Sequence, residues 1–261
     1  MQYVRPVDFN AFKPTEFHSQ RIADRSSGLD SCVLILTRVP PGTGTTAGLH
    51  VHYGDQLYYI LSGRMNVQLG KEKLTAGPKD LVVIPRGMPH WNWNTSDQDE
   101  VHFEFICPPP PGNEAASTPV DESAPIPDVK GLQLIRGLDE SKFDLSRFSQ
   151  VVMADRASGV DSVSLGVFRV PVGGRSPELH VHRFDQIYYT ISGTMGIQIG
   201  LEEYTVPANS YVIIPAGMPH MNWNAGQDVQ YFINARTPEP ADRSKVWDIL
   251  VTFGEEGPRP A

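Results

Sequence analysis

His50-Val51-His52-Tyr53-Gly54-Asp55-Gln56 is written a second time 130 residues further on, as His180-Val181-His182-Arg183-Phe184-Asp185-Gln186. Both heptads keep the two alternate histidines, the valine between them, the aspartate and the glutamine. Residues two apart on an extended strand point to the same face, so each histidine pair projects together. A third histidine follows each pair: His90 after Pro85-Arg86-Gly87-Met88-Pro89, and His220 after Pro215-Ala216-Gly217-Met218-Pro219. Six of the eight histidines thus fall in two matching triplets, each with a glutamine at the same step. Paired imidazoles on one strand, joined by a third from a distant strand, suit a divalent transition metal. His18 and His102 have no histidine counterpart in the other copy and read as structural.

The repeat extends outward from the heptads. Arg5, Asp8 and Phe12 recur as Arg136, Asp139 and Phe143; Ala23-Asp24-Arg25 as Ala154-Asp155-Arg156; Arg38-Val39-Pro40 as Arg169-Val170-Pro171. The offset there is 131 and becomes 130 at His50, so one loop residue is lost between. From Leu49 to Asn94 roughly half the positions match their partners. Between the copies, Pro108 to Pro111, Pro119, Pro125 and Pro127 mark an extended linker, because proline lacks an amide hydrogen and fixes φ. This predicts a first domain over 1–107, a linker over 108–130, and a second domain with a C-terminal tail over 131–261, the two folding as separate units.

Within each copy the pattern is β. Ser31 to Val39, Leu57 to Leu61, Met65 to Leu69 and Leu81 to Ile84 are short runs rich in β-formers, punctuated by glycine and proline. Such runs predict a sandwich or barrel. One helix is expected, near Arg243 to Leu250. Gly63 and Gly193 read as turn residues needing positive φ.

Composition narrows the function. A formal net charge of −8 argues against a broad nucleic-acid surface. No apolar run reaches the length of about 18 residues that spans a membrane, and Met1 to Asn10 lacks the apolar core of a signal peptide. The two cysteines, Cys32 and Cys107, lie far apart in the chain, which fits a cytoplasmic setting. The expected partner is a small-molecule substrate, with no nucleic acid and no membrane, and with homo-oligomer formation left open.

These motifs resemble those of the cupin superfamily. His50-Val51-His52, Gln56 and Gly63 match the first cupin motif, and Pro85-Arg86-Gly87, His90 and Asn94 the second. The second copy repeats both with His180, His182, Gln186, Gly193, then Pro215, Gly217, His220 and Asn224. The resemblance implies an all-β chain of two tandem jelly-roll β-barrels related by internal duplication, a bicupin. It also implies two divalent metals per chain (Fe, Mn, Ni, Zn or Cu), one on His50, His52, Gln56 and His90, the other on His180, His182, Gln186 and His220. The usual fourth ligand of the family is glutamate; here it is glutamine in both copies. A carboxamide binds metal through oxygen without charge and cannot act as a general base near neutral pH. The three-histidine, one-glutamine set is similar to that of the bicupin isomerase of bacilysin biosynthesis and of the cupin hydroxynitrile lyases. Quercetinases and oxalate decarboxylases keep the glutamate.

Tyr58 and Tyr188 lie two residues beyond the glutamines and should face the same interior as candidate catalytic residues, as acids or substrate hydrogen-bond partners; packing with a satisfied hydroxyl is the alternative. Trp93 and Trp223 should pack outside the barrels. Asn92, Asn94, Asn222 and Asn224 share parity with the third histidine, in ligand-orienting or turn roles. Arg38 and Arg169 suit a substrate carboxylate or a structural ion pair with an aspartate such as Asp24 or Asp155. Three functions compete: Lewis-acid isomerase, lyase or cyclase chemistry on a small enolisable or anionic substrate; an iron, nickel or copper dioxygenase; and a non-catalytic small-molecule-binding cupin. Tyr53, Gly54, Arg86 and Trp91 become Arg183, Phe184, Ala216 and Met221, so the two sites should differ in ligand entry.

Overall fold

The computed structural model describes residues 2–13, 15–112, 114–176, 178–240 and 248–252. The short β-rich runs form strands close to the expected limits, Val33–Val39, Asp55–Ser62, Met65–Leu69 and Asp80–Ile84. Each copy folds into one six-stranded and one five-stranded sheet, and every strand pairing is antiparallel. Among the described residues the only helical elements are four 3₁₀ turns. Of the helix expected near Arg243 to Leu250, 243–247 lie outside the described residues, and Ile249–Leu250 is instead a strand paired with His180–Val181.

Three apolar clusters organise the molecule. Tyr58, Ile60, Met65, Val67 and Val82 fill the first barrel. Phe168, Tyr188, Met195, Ile197 and Phe232 fill the second. The third joins the two copies, with Leu34, Leu36, Phe103 and Phe105 of the first against Val151, Val167, Ile187 and Tyr189 of the second. The six-stranded sheets are thus buried on both faces. Asp55–Ser62 and Asp185–Ser192 accordingly read as near-continuous apolar runs rather than alternating ones.

The barrels are not separate units. Val4–Pro6, at the start of the chain, pairs with Ser210–Ile214 of the second barrel. Ile135–Gly137, its repeat counterpart, pairs with Asp80–Ile84 of the first. Each copy therefore gives its leading strand to the other. The aspartates of the heptads tie the same seam. Asp55 accepts from Arg86 N at 2.9 Å and from Asp161 N and Ser162 N at 3.0 Å each. Asp185 accepts from Ala216 N at 2.9 Å, Ser31 N at 3.1 Å and Ser31 Oγ at 2.5 Å. The proline-rich segment also does more than link, since Ser117–Pro119 adds an edge strand to His50–His52. Cys32 and Cys107, distant in the chain, are free and buried, and the Cys32 thiol donates to Val33 O at 3.3 Å.

Candidate metal centres

The repeat places each triplet on adjacent strands of the five-stranded sheets. His50 is the direct cross-strand partner of His90, and His180 of His220. His50, His52 and His90 form one buried group and His180, His182 and His220 a second; within each, the potential ligand atoms lie within 4.8 Å of one another. The Nδ1 atoms are taken by the backbone: His50 to Gly48 O at 2.7 Å, His52 to Ala116 O at 2.6 Å and His90 to Met88 O at 2.8 Å. His180 meets Glu178 O at 2.7 Å and His220 meets Met218 O at 2.9 Å. A carbonyl on Nδ1 demands N–H there, so the lone pair sits on Nε2 and faces the other histidines. His90 Nε2 and His220 Nε2 are buried without a hydrogen-bond partner. Burial also lowers the pKa values of His50, His52, His90 and His220, to about 4 for His52 and about 3 for His220. Neutral rings with orphaned, converging lone pairs fit a metal ion.

Gln56 and Gln186 are buried and lie on strands of the six-stranded sheets, Asp55–Ser62 and Asp185–Ser192, not on the sheets that carry the triplets. Gln56 Nε2 donates to Glu104 Oε2 at 2.9 Å, and Gln56 Oε1 is buried with no partner. Gln186 Oε1 accepts from Tyr188 Oη at 3.3 Å. Tyr58 and Tyr188 do face the interiors, and burial holds both phenols above their ordinary pKa, so they are donors at neutral pH.

The Glu100–Cys107 strand carries what the sequence reading missed. Glu100, His102 and Glu104 alternate along it and are built into the wall of the first barrel. His102 Nδ1 lies 2.9 Å from both carboxylate oxygens of Glu100, and its Nε2 makes an ion-pair contact of 3.3 Å with Glu104 Oε1. Thr37 Oγ1 donates to the same Glu104 oxygen. Burial alone would strip His102 of its proton; the two carboxylates outweigh it and push its pKa up to about 9. Burial likewise opposes the charge on Glu104, and His102 and Thr37 reverse that, leaving its pKa lowered. The same parity argument that paired His50 with His52 would have grouped these three residues. His102 is no ligand, but its structural role is electrostatic.

The second barrel has none of this. The strand positions of Glu100, His102 and Glu104 are held there by Gln230, Phe232 and Asn234. Its cavity, about 100 Å³, is bounded by Phe148, Phe168 and Phe232 on one side and by Arg236 and Asp248. Arg236 stands where the first copy has Ile106, its guanidinium 5.5 Å from the Phe168 ring centroid. Asp248 Oδ1 lies 3.5 Å from His182 Nδ1, where the first barrel has only the Ala116 carbonyl.

Other expected residues are placed as follows. Trp93 and Trp223 alternate with the buried face and are half-exposed. Asn94 and Asn224 serve turns: their Nδ2 atoms donate to Val39 O and Gln98 O, and to Val170 O and Asp228 O. Arg38 pairs with Asp99 at 2.7 Å rather than Asp24, whose carboxylate caps a 3₁₀ turn. Arg169 Nη1 donates to Leu145 O at 2.9 Å. Gly63 and Gly193 have φ of 75° and 77°, and a Cβ on Gly63 would lie 2.2 Å from Asp99 O.

Comparison with known proteins agrees with this architecture. A likeness to oxalate decarboxylase from Bacillus subtilis covers 91% of this chain and 76% of that one, with a TM-score of 0.65 at 15% identity. A cupin 2 conserved barrel domain protein from Leptotrichia buccalis matches over 91% of this chain and 98% of its own, with a TM-score of 0.61 at 12% identity. At such identities the likeness is one of fold. An uncharacterized protein of Streptomyces coelicolor is 27% identical over 78 residues, 30% of this chain and 73% of that one. The cupin domain model matches residues 35–107 and 166–234, more than half of the chain. Two barrels, each carrying the family's motifs and a buried histidine triad, belong together: the chain is a member of the cupin family, a bicupin.

Proposed function

We propose that this bicupin is a metal-dependent enzyme that acts on a small oxygenated, enolisable or anionic substrate by isomerase, lyase or cyclase chemistry. The observation that carries this reading is the donor set. In the first barrel three imidazoles converge in one buried group, and the uncharged Gln56 Oε1 is buried without a hydrogen-bond partner. Gln186 takes the same strand position in the second. A divalent ion on such ligands keeps its full charge and supplies Lewis acidity toward a carbonyl or hydroxyl oxygen.

The remaining roles fall to the chain's own side chains. Tyr58 and Tyr188, protonated and buried, suit hydrogen-bond donation to an oxygen that gains negative charge. The second cavity offers aromatic walls for an apolar body and the Arg236 guanidinium for an anionic end. The first barrel offers a carboxylate, Glu104, next to Gln56. The expectation that the glutamines leave no carboxylate at hand thus holds for the position itself but not for the first barrel.

A dioxygenase reading remains as the alternative, since three imidazoles also suit redox-active iron, nickel or copper. Elemental analysis of protein purified without chelator tests the common premise. Two ions per chain support it, and metal-free protein that takes up no added divalent ion sinks it.

A further inference from the structure

We infer that Glu104 is a positioning residue that relays a negative charge through the Gln56 amide onto the first metal site, and that the second site has no equivalent. This rests on the metal reading above and deepens it. Gln56 Nε2 is 2.9 Å from Glu104 Oε2. An ionised carboxylate only accepts hydrogen bonds, so it fixes which end of the amide faces it. The carbonyl oxygen is thereby turned away and stays buried with no other partner. A hydrogen bond from an amide N–H to a carboxylate also shifts electron density toward the carbonyl oxygen. That raises its strength as a metal donor, as outer partners do for other ligands.

The charge on Glu104 is itself held in place. Thr37 Oγ1 and Gln56 Nε2 donate to its two oxygens, and His102 Nε2 lies 3.3 Å away. His102 also contacts Glu100 at 2.9 Å, so a single imidazole stands between two carboxyl groups. The first site thus approaches the charge of a three-histidine, one-carboxylate site while its ligand atoms remain neutral.

In the second barrel Asn234, Phe232, Gln230 and Phe168 occupy the positions of Glu104, His102, Glu100 and Thr37. Among the described residues no carboxylate bonds to the Gln186 amide. Its oxygen accepts from Tyr188 Oη at 3.3 Å instead, a contact that draws electron density away. The nearest matching device is Asp248, behind His182 rather than behind the glutamine. Identical ligands therefore carry different charge.

The test uses two full-length single-site proteins. His180→Ala/His182→Ala retains only the first triad, and His50→Ala/His52→Ala only the second. Zinc affinity is measured by competition with a chromogenic chelator, and the ligand field by the visible absorption of the cobalt form. Glu104→Gln keeps the size of the side chain and an acceptor for Gln56 but removes the charge. In the first-site protein it should weaken zinc about 10–100-fold and move the cobalt bands. In the second-site protein it should leave both unchanged. If Glu104→Gln fails to fold, Glu100→Gln/His102→Phe/Glu104→Asn, which copies the second barrel at these three strand positions, should show the same loss. Zinc affinity and cobalt bands that ignore the substitution in folded protein overturn the inference alone. Triads that bind no metal overturn it together with the reading it rests on.

Discussion

Gln56 donates to Glu104 at 2.9 Å, whereas the strand position of Glu104 is held in the second copy by Asn234, and the direct cross-strand partner of Gln186 is Arg236. One substitution therefore has opposite meanings in the two copies. Gln56→Glu would set a second carboxylate against Glu104 in a buried wall, where the two must share a proton or repel. Gln186→Glu meets no carboxylate from that strand: Asn234 is a neutral amide, and Arg236, the cross-strand partner of Gln186, is a cation lining the same cavity. We expect Gln56→Glu to destabilise the metal-free protein by on the order of 2–4 kcal/mol and Gln186→Glu by less than half of that. Urea unfolding of both variants checks it. Equal midpoints would mean that Glu104 is already protonated.

Replacing His50 and His52 together should empty the first site and leave the second filled, so that metal content falls from two per chain to one. The argument is that each triad draws its ligands from one barrel, on strands of one sheet. Elemental analysis with far-UV circular dichroism decides it. Loss of both ions from a folded variant would show that the shared seam, rather than each barrel, sets ligand geometry.

That seam makes its own prediction. Val4–Pro6 pairs with Ser210–Ile214, and Val7 N bonds to Asn209 O at 2.9 Å. Removing residues 1–7 should strip amide protection from the Ser210–Ile214 strand of the second barrel and leave Asp80–Ile84 of the first protected by its partner Ile135–Gly137. Exposing this sheet edge and its apolar neighbours should cost about 1–3 kcal/mol. Hydrogen exchange read by mass spectrometry resolves the two strands. Equal loss in both would show that the exchanged strands act as one cooperative unit.

The pH dependence of stability should carry the mark of His102. Its pKa is about 6.5 in a solvated chain and about 9 in the folded protein. The native state therefore binds a proton that the unfolded chain releases between these values. The stabilisation is fully present below pH 6.5 and is lost as pH rises through 9, at up to about 1.4 kcal/mol per pH unit for a single proton. His102→Phe, the residue of the second barrel, should flatten this slope while lowering stability at pH 6.5, because Glu100 and Glu104 are left facing each other. Unfolding midpoints at pH 6.5, 7.5 and 9 test the sign. A wild-type midpoint that rises over this range would contradict it.

The duplication and the ligand parity were legible because a strand has period two and the heptads repeat almost unchanged. The strand exchange was not. Arg5, Asp8 and Phe12 do match Arg136, Asp139 and Phe143, but a repeat says that two segments adopt the same conformation and not which copy each one joins. The edge strand Ser117–Pro119 hid among prolines because an edge needs few amide donors. Glu104 went unread for another reason. A search for pairs of like residues across the copies finds what the copies share, and Glu100, His102 and Glu104 are what the first has and the second lacks. The role of Asp55 was hidden too, because its partners Asp161 and Ser162 lie more than a hundred residues away.

Turnover by this protein should not consume oxygen. The donors that converge at each centre are uncharged, which leaves a divalent ion's pull on a chelating carbonyl or hydroxyl undiminished except for the charge relayed to the first site by Glu104. The proton inventory fits the same chemistry. Tyr58 and Tyr188 are buried phenols held protonated, able to donate to an oxygen that becomes negative. Tyr58→Phe and Tyr188→Phe should each lower the rate of their own site about 100-fold, the lower end of the range for general acid–base groups, with metal content unchanged. A redox-inert ion such as zinc should support turnover, and argon should not stop it. Screening small carboxylic and enolisable carbonyl compounds with the zinc-loaded protein under strict anaerobiosis is the measurement. Substrates that react only in air, with label from oxygen gas appearing in the product, would give the case to the dioxygenase reading.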